Sequence, residues 1–117
     1  MNGSVALVFP RTRYQSGDPP LGIALLAAVL RQRRPGLAVS VIDGTFLGGR
    51  TRLLDRVRSS GANLVAVFVD SLMLSDALEV ARVARAAGAF TLAGGPLPTV
   101  APELLIPGFD GVFRGEG

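Results

Sequence analysis

The residues best placed for chemistry in this 117-residue chain are the polar ones that close its apolar runs. Asp43 closes "VSVI", Asp70 and Ser71 close "LVAVFV", and Gly94-Gly95-Pro96 close "FTLA". Asp70 stands where a receiver domain carries its phosphoaccepting aspartate. That chemistry needs an acidic pair after the first strand to hold magnesium, and a lysine after the fifth. Here the first apolar run leads into "PRTR", and every basic residue of the chain is arginine. A dinucleotide site would put G-x-G-x-x-G directly after the first strand, but residues 10–15 read "PRTRYQ". A P-loop is excluded by the missing lysine. With neither cysteine nor histidine, the chain can build no disulfide, thiolate ligand, iron–sulfur cluster or imidazole site. No pair of carboxylates and no nucleophile with a base can be assembled, so no catalytic or metal-ligating residue is assigned.

What is left is binding chemistry. Gly94-Gly95-Pro96 would let a ligand approach the backbone closely, or would only turn the chain into the next helix. Asp43, Ser71 and Thr99 act equally well as turn formers, caps or ligand contacts.

The elements that position these residues can be read from the apolar pattern. Residues 5–9, 38–42, 64–69, 90–93 and 111–113 are short apolar runs suited to buried strands. Between them lie helices. The first ends at the arginines and Pro35-Gly36. The second covers about residues 51–60, with Leu53, Leu54 and Val57 on one face, an Asp55–Arg58 pair and Gly61 as the stop. The third is capped by Ser75, sets Val80, Val83, Ala84 and Ala87 at i, i+3, i+4, i+7 spacing, and sets Asp76, Glu79 and Arg82 on the opposite side. A short fourth helix covers residues 99–105, with Pro102 in its first turn. The alternation predicts a single α/β domain over residues 1–117. Its fold is flavodoxin-like (Rossmann-like): a five-stranded parallel sheet of order 2-1-3-4-5 with helices on both faces. Ligands of such sheets bind outside the carboxyl ends of the strands, near the switch between strands one and three.

One stretch invites a different reading. "LGIALLAAVL" at 21–30 carries no charge. A membrane span needs about 20 apolar residues, and a signal peptide would not follow a complete strand. The stretch is therefore read as the first helix, entered through Pro19-Pro20. Its apolar surface is more than one sheet-facing stripe needs. The expected location is cytoplasmic, with neither a membrane nor a nucleic-acid partner, because the net charge of +3 comes from scattered arginines.

Five segments occur together in order: "PPLGIALLAAVLR" at 19–31, "VSVIDG" at 39–44, "NLVAVFVDSLMLSDALEVARVARAAG" at 63–88, "LAGGPLPTVAPELL" at 92–105 and "DGVFRGEG" at 110–117. In combination they resemble the N-terminal cobalamin (vitamin B12)-binding domain of cobalamin-dependent radical S-adenosylmethionine (SAM) enzymes. The resemblance covers nearly the whole chain. It implies cobalamin over the carboxyl ends of the strands, with its nucleotide tail inserted beside the sheet. It also implies a radical SAM domain, in cis or in trans, that holds S-adenosylmethionine and a 4Fe-4S cluster not bound by this chain. The chain would then be cut from, or be a remnant of, a longer protein, most often a methyltransferase or ring-forming enzyme.

Carried over residue by residue, the resemblance puts Asp70, Ser71 and Leu72 under the corrin. Asp70 departs from the small or hydroxyl residue expected there. Gly94, Gly95 and Pro96 would border the nucleotide tail, and Asp43 would lie at the far edge. Gly115 and Glu116 would meet the corrin rim, while Tyr14 and Gln15 would reach the upper face or the partner domain. Other cobalamin proteins use a D-x-H-x-x-G loop whose histidine ligates cobalt. This chain has no histidine, so the expected state is base-off and His-off. The alternatives are a flavodoxin-like interaction domain without a ligand, or a domain for a flavin or another nucleotide.

Overall fold

The apolar runs form five strands: β1 (Ser4–Phe9), β2 (Ala38–Asp43), β3 (Leu64–Phe68), β4 (Phe90–Gly94) and β5 (Gly111–Val112). They make one all-parallel sheet of order β2-β1-β3-β4-β5, as the alternation predicts. The structure is a computed structural model and describes residues 3–12 and 21–114. Helices α1 (Leu21–Arg33), α2 (Arg50–Ser59), α3 (Leu74–Ala86) and α4 (Pro96–Val100) connect the strands, with 3-10 turns at Gly44–Phe46 and Pro102–Leu104.

Side chains alternate across each strand and divide the core in two. Ala6, Val8, Val65, Val67 and Ala93 face α2 and α3, where they pack with Leu53, Val57, Val80 and Ala84. This side is sealed: Val8, Leu53 and Val80 have no exposed surface. Each such side chain contributes about 1.5–3 kcal/mol on burial. Val5, Leu7 and Phe9 face the other side and pack with Ile23 and Ala27 of α1. There α1 packs on β1 and β2, and the same face continues, half-buried, through Ala66, Phe68 and Leu92.

Three local readings are corrected. The third helix begins at Leu74 with Met73 at its N-cap, not at Ser75. Asp70 closes the preceding turn early, because its Oδ1 accepts the amides of Leu72 (2.9 Å) and Met73 (3.1 Å). The fourth helix begins at Pro96 and stops at Val100, short of the expected 99–105. Ala101 precedes Pro102, a position that disfavours helical backbone, and takes φ −142°, ψ 61°. The chain then resumes as a 3-10 turn. Asp76, expected on the solvent side of its helix, is only 4% exposed. The Asp55–Arg58 pair forms as read, at 2.9 Å. No helix among the described residues is long and apolar enough to cross a membrane. Leu25 and Leu26 of α1 are nevertheless exposed, at 68% and 46%, in line with the surplus of apolar surface in its sequence.

Candidate functional site

The carboxyl edge of the sheet gathers most of the residues singled out in the sequence. Strand register sets them in a row on the α1 side. Phe9 pairs with Asp43 and lies beside Phe68, and Phe68 pairs with Gly94. The two phenyl rings meet at 5.3 Å with a 40° tilt. Phe113 borders Gly94 and donates its backbone N–H to Ala93 O at 2.7 Å. Behind this row, towards the amino ends of the strands, an apolar groove of about 740 Å³ runs along the same face; Val5, Leu7, Leu26, Leu64, Ala66 and Leu92 are among its lining residues.

The two glycines of the β4 turn have different reasons to be glycine. A Cβ on Gly95 would stand 3.0 Å from Val69 O and 3.1 Å from the Phe68 ring, and its φ is +111°. Closure of the turn onto β3 therefore requires glycine at 95; Leu97 N donates to Val69 O at 3.1 Å across it. A Cβ on Gly94 would meet nothing nearer than Phe113 Cβ at 4.0 Å, and its φ is not positive. Among the described residues, nothing requires glycine at 94. The space in front of it is what a ligand lying against the strand end would use.

Asp43 and Asp70, the two described carboxylates of the predicted set, make bonds within the chain. Asp43 Oδ1 accepts the Thr45 amide (3.0 Å) and hydroxyl (2.6 Å) and caps the 3-10 turn. Gly44 gives room for the exit of β1: its Cβ would come 3.3 Å from Phe9 O and 3.4 Å from Arg11 O. Asp70 is the turn-closing residue already described. Ser71 and Leu72 beside it are exposed, Leu72 at 63%. Pro96 starts α4. Tyr14, Gln15, Pro19-Pro20, Gly115 and Glu116 lie outside the described residues.

A polar cluster unforeseen from the sequence ties the exit of β1 to the starts of two helices. Asp76 Oδ2 accepts the Thr12 hydroxyl, and Oδ1 accepts Arg50 Nε at 2.6 Å. Arg50 Nη2 donates to Ser75 Oγ, also at 2.6 Å. On the β2 side, Arg11 stacks its guanidinium 4.8 Å above the Phe9 ring and donates to Thr45 Oγ1 at 3.3 Å. The signal for Asp76 was present: it stands four residues before Val80, on the same helical stripe as the buried Val83 and Ala84. Its charge suggests the solvent side, whereas its spacing puts it on the buried stripe.

The family model described as "B12 binding domain" matches residues 13–117. No curated protein sequence matches the chain. Among solved structures, the chain is similar to the radical S-adenosylmethionine methyltransferase TsrM from Kitasatospora setae, solved with cobalamin and a 4Fe-4S cluster bound. The TM-score is 0.72 at 23% identity, over 92% of this chain and 22% of that one. At that identity the likeness is one of fold, and this chain spans about a fifth of that protein's length. The fold expected from the sequence and the cofactor class expected from the resemblance meet here: the chain belongs to the B12-binding domain family.

Proposed function

We propose that this chain is the cobalamin-holding module of a radical SAM enzyme of methyltransferase type. It would work with a radical SAM domain, in cis or in trans, that carries the S-adenosylmethionine and the 4Fe-4S cluster. The single observation behind this reading is the half-open α1 side of the sheet. There, Gly94 leaves space at the strand end and an apolar groove continues behind it.

The residues present fit such a cofactor. The apolar groove of Leu7, Ala66 and Leu92 offers a seat for the flat, largely apolar base of a nucleotide tail, and Gly94, two residues beyond Leu92 on β4, offers bare backbone at the strand end. Ser71 and Leu72, exposed at the end of β3, would face the corrin. Gly95 and Pro96 would hold the turn that frames the tail. Asp43 and Asp70 would act indirectly, by fixing the turns at the ends of β2 and β3. Tyr14, Gln15, Gly115 and Glu116 would complete the rim. When bound, cobalamin supplies a cobalt centre able to carry a methyl group. This chain's own task is to bind and orient it. With no histidine in the sequence, no imidazole of this chain can ligate cobalt, so the bound form would be His-off; a nucleotide tail seated in the groove would be held away from cobalt, which would make it base-off as well.

Reconstitution with hydroxocobalamin followed by gel filtration tests the reading. A corrin absorption band that travels with the protein is the expected result. A folded but colourless protein would favour a protein-contact module, and a flavin spectrum on the protein as isolated would favour a flavin domain. Electron paramagnetic resonance of the cobalt(II) form tests the ligation. The expected spectrum lacks superhyperfine splitting from an axial nitrogen, and such splitting would contradict the base-off state.

A further inference from the structure

We infer that Asp76 is a positioning residue for the cofactor face, acting through Thr12. The inference rests on the cobalamin reading above. Asp76 occupies the first turn of α3, where an acidic residue commonly only complements the helix dipole from the surface. Two observations separate it from that role. Its side chain is 5% exposed, and both of its oxygens are committed across the chain, one to Thr12 and the other to Arg50. Neither oxygen caps its own helix: α3 has no side-chain cap bond, and the N-cap amide of Met73 donates to Asp70 instead.

Thermodynamic stability is a weak explanation for such a pair. Burying a carboxylate and a guanidinium costs desolvation, and an apolar residue of similar volume is often as stabilising. What the pair supplies is a fixed location. Thr12 lies three residues past the end of β1, at the edge of the sheet where Gly94 and Leu72 also stand. Pro10, between Phe9 and Arg11, is fully buried. Arg11 is tethered toward Thr45 on the β2 side and Thr12 toward Asp76 on the α3 side. Residues 10–12 are thereby held from both flanks, across the switch between β1 and β3. The wall they form borders the cofactor face, and its placement sets how closely the corrin can settle.

The test measures hydroxocobalamin affinity by visible absorption for the wild-type chain, Thr12→Val, Thr12→Ser, Asp76→Asn and the double variant Thr12→Val/Asp76→Asn. Each protein's urea midpoint and its rate of tryptic cleavage after Arg11 are measured without cofactor. Thr12→Val removes the hydroxyl at constant shape. It should weaken binding about tenfold, equivalent to about 1.4 kcal/mol, speed cleavage after Arg11, and lower the urea midpoint only modestly, because Asp76 keeps its bond to Arg50. Thr12→Ser should restore both affinity and protection. The double variant should bind no more weakly than Asp76→Asn, because the two residues act as one unit. Wild-type affinity in Thr12→Val, or losses that merely follow the urea midpoint, would overturn the positioning role alone. Failure of the wild-type chain to bind would overturn the cofactor reading and this role with it.

Discussion

The two faces of the sheet are built from the same strands and do different work. On the α2/α3 face, Val65, Val67 and Val80 are 2% exposed or less, and the helices interlock over them. On the α1 face, the same strands present Ala66, Phe68, Leu92 and Gly94, all half-buried. One face is a finished core, and the other carries apolar surface and a groove. The difference teaches that stability and ligand capacity are separated by the two-residue period of a strand. A substitution at position 65 or 67 should be felt in folding, and one at 66 or 94 in binding.

The comparison can be broken at its strongest point first. Leu53→Ala, on the sealed face, should destabilise the fold by about 2–5 kcal/mol, since the surrounding helices cannot collapse fully into the cavity. Urea denaturation checks this, and cobalamin affinity of the folded fraction should not change. Gly95→Ala should cost about 1–3 kcal/mol, because the added Cβ meets backbone at a positive φ; thermal melting would register it. Its neighbour sharpens the contrast. Gly94→Val should leave the melting temperature unchanged or raised, because there is room for its Cβ and valine suits a strand. Cobalamin affinity should fall about tenfold, equivalent to about 1.4 kcal/mol. Cobinamide, which lacks the nucleotide tail, should lose less.

A smaller effect belongs to the closed side. The Thr91 amide (2.8 Å) and hydroxyl (3.0 Å) both donate to Asp110 Oδ2, and Arg85 lies 3.4 Å from Oδ1. The backbone hydrogen bond from Thr91 is the main cause that holds the Asp110 carboxyl below its ordinary value of 3.8. A carboxylate depressed in the folded state adds stability that is complete above that ordinary value. The contribution is lost as the pH falls through the lowered folded value. The urea midpoints of wild type and Asp110→Asn should therefore differ at about pH 6 and converge towards about pH 2. A gap that widens on acidification would contradict the assignment.

The strand order and the presence of helices on both faces are legible from the sequence because short apolar runs separated by amphipathic helices admit few packings; which helix covers which face is not. The site was legible only as a location. That Gly94-Gly95 would matter followed from the turn, but which glycine serves the fold depends on a tertiary contact, Gly95 against Val69 O and Phe68. Asp43 and Asp70 stand out in the sequence by their place at strand ends. Their bonds to nearby amides are local turn chemistry of the kind these residues favour, and sequence alone does not separate that use from ligand contact. For Asp76, charge and spacing point to opposite sides of the helix, and the spacing from Val80 is the one the fold follows. A buried carboxylate becomes explicable only when its partners, Thr12 and Arg50, are seen to converge on it from distant parts of the chain.

The central claim is that the α1 face, and not the α2/α3 face, receives cobalamin. Methyl NMR of the chain titrated with hydroxocobalamin tests it most directly. The account predicts shifts of the Leu7, Ala66, Leu72 and Leu92 methyls that saturate at one equivalent, with Leu53, Val57 and Val80 unmoved. Shifts concentrated on Leu53, Val57 and Val80, or none on either face at saturating cofactor, would contradict it.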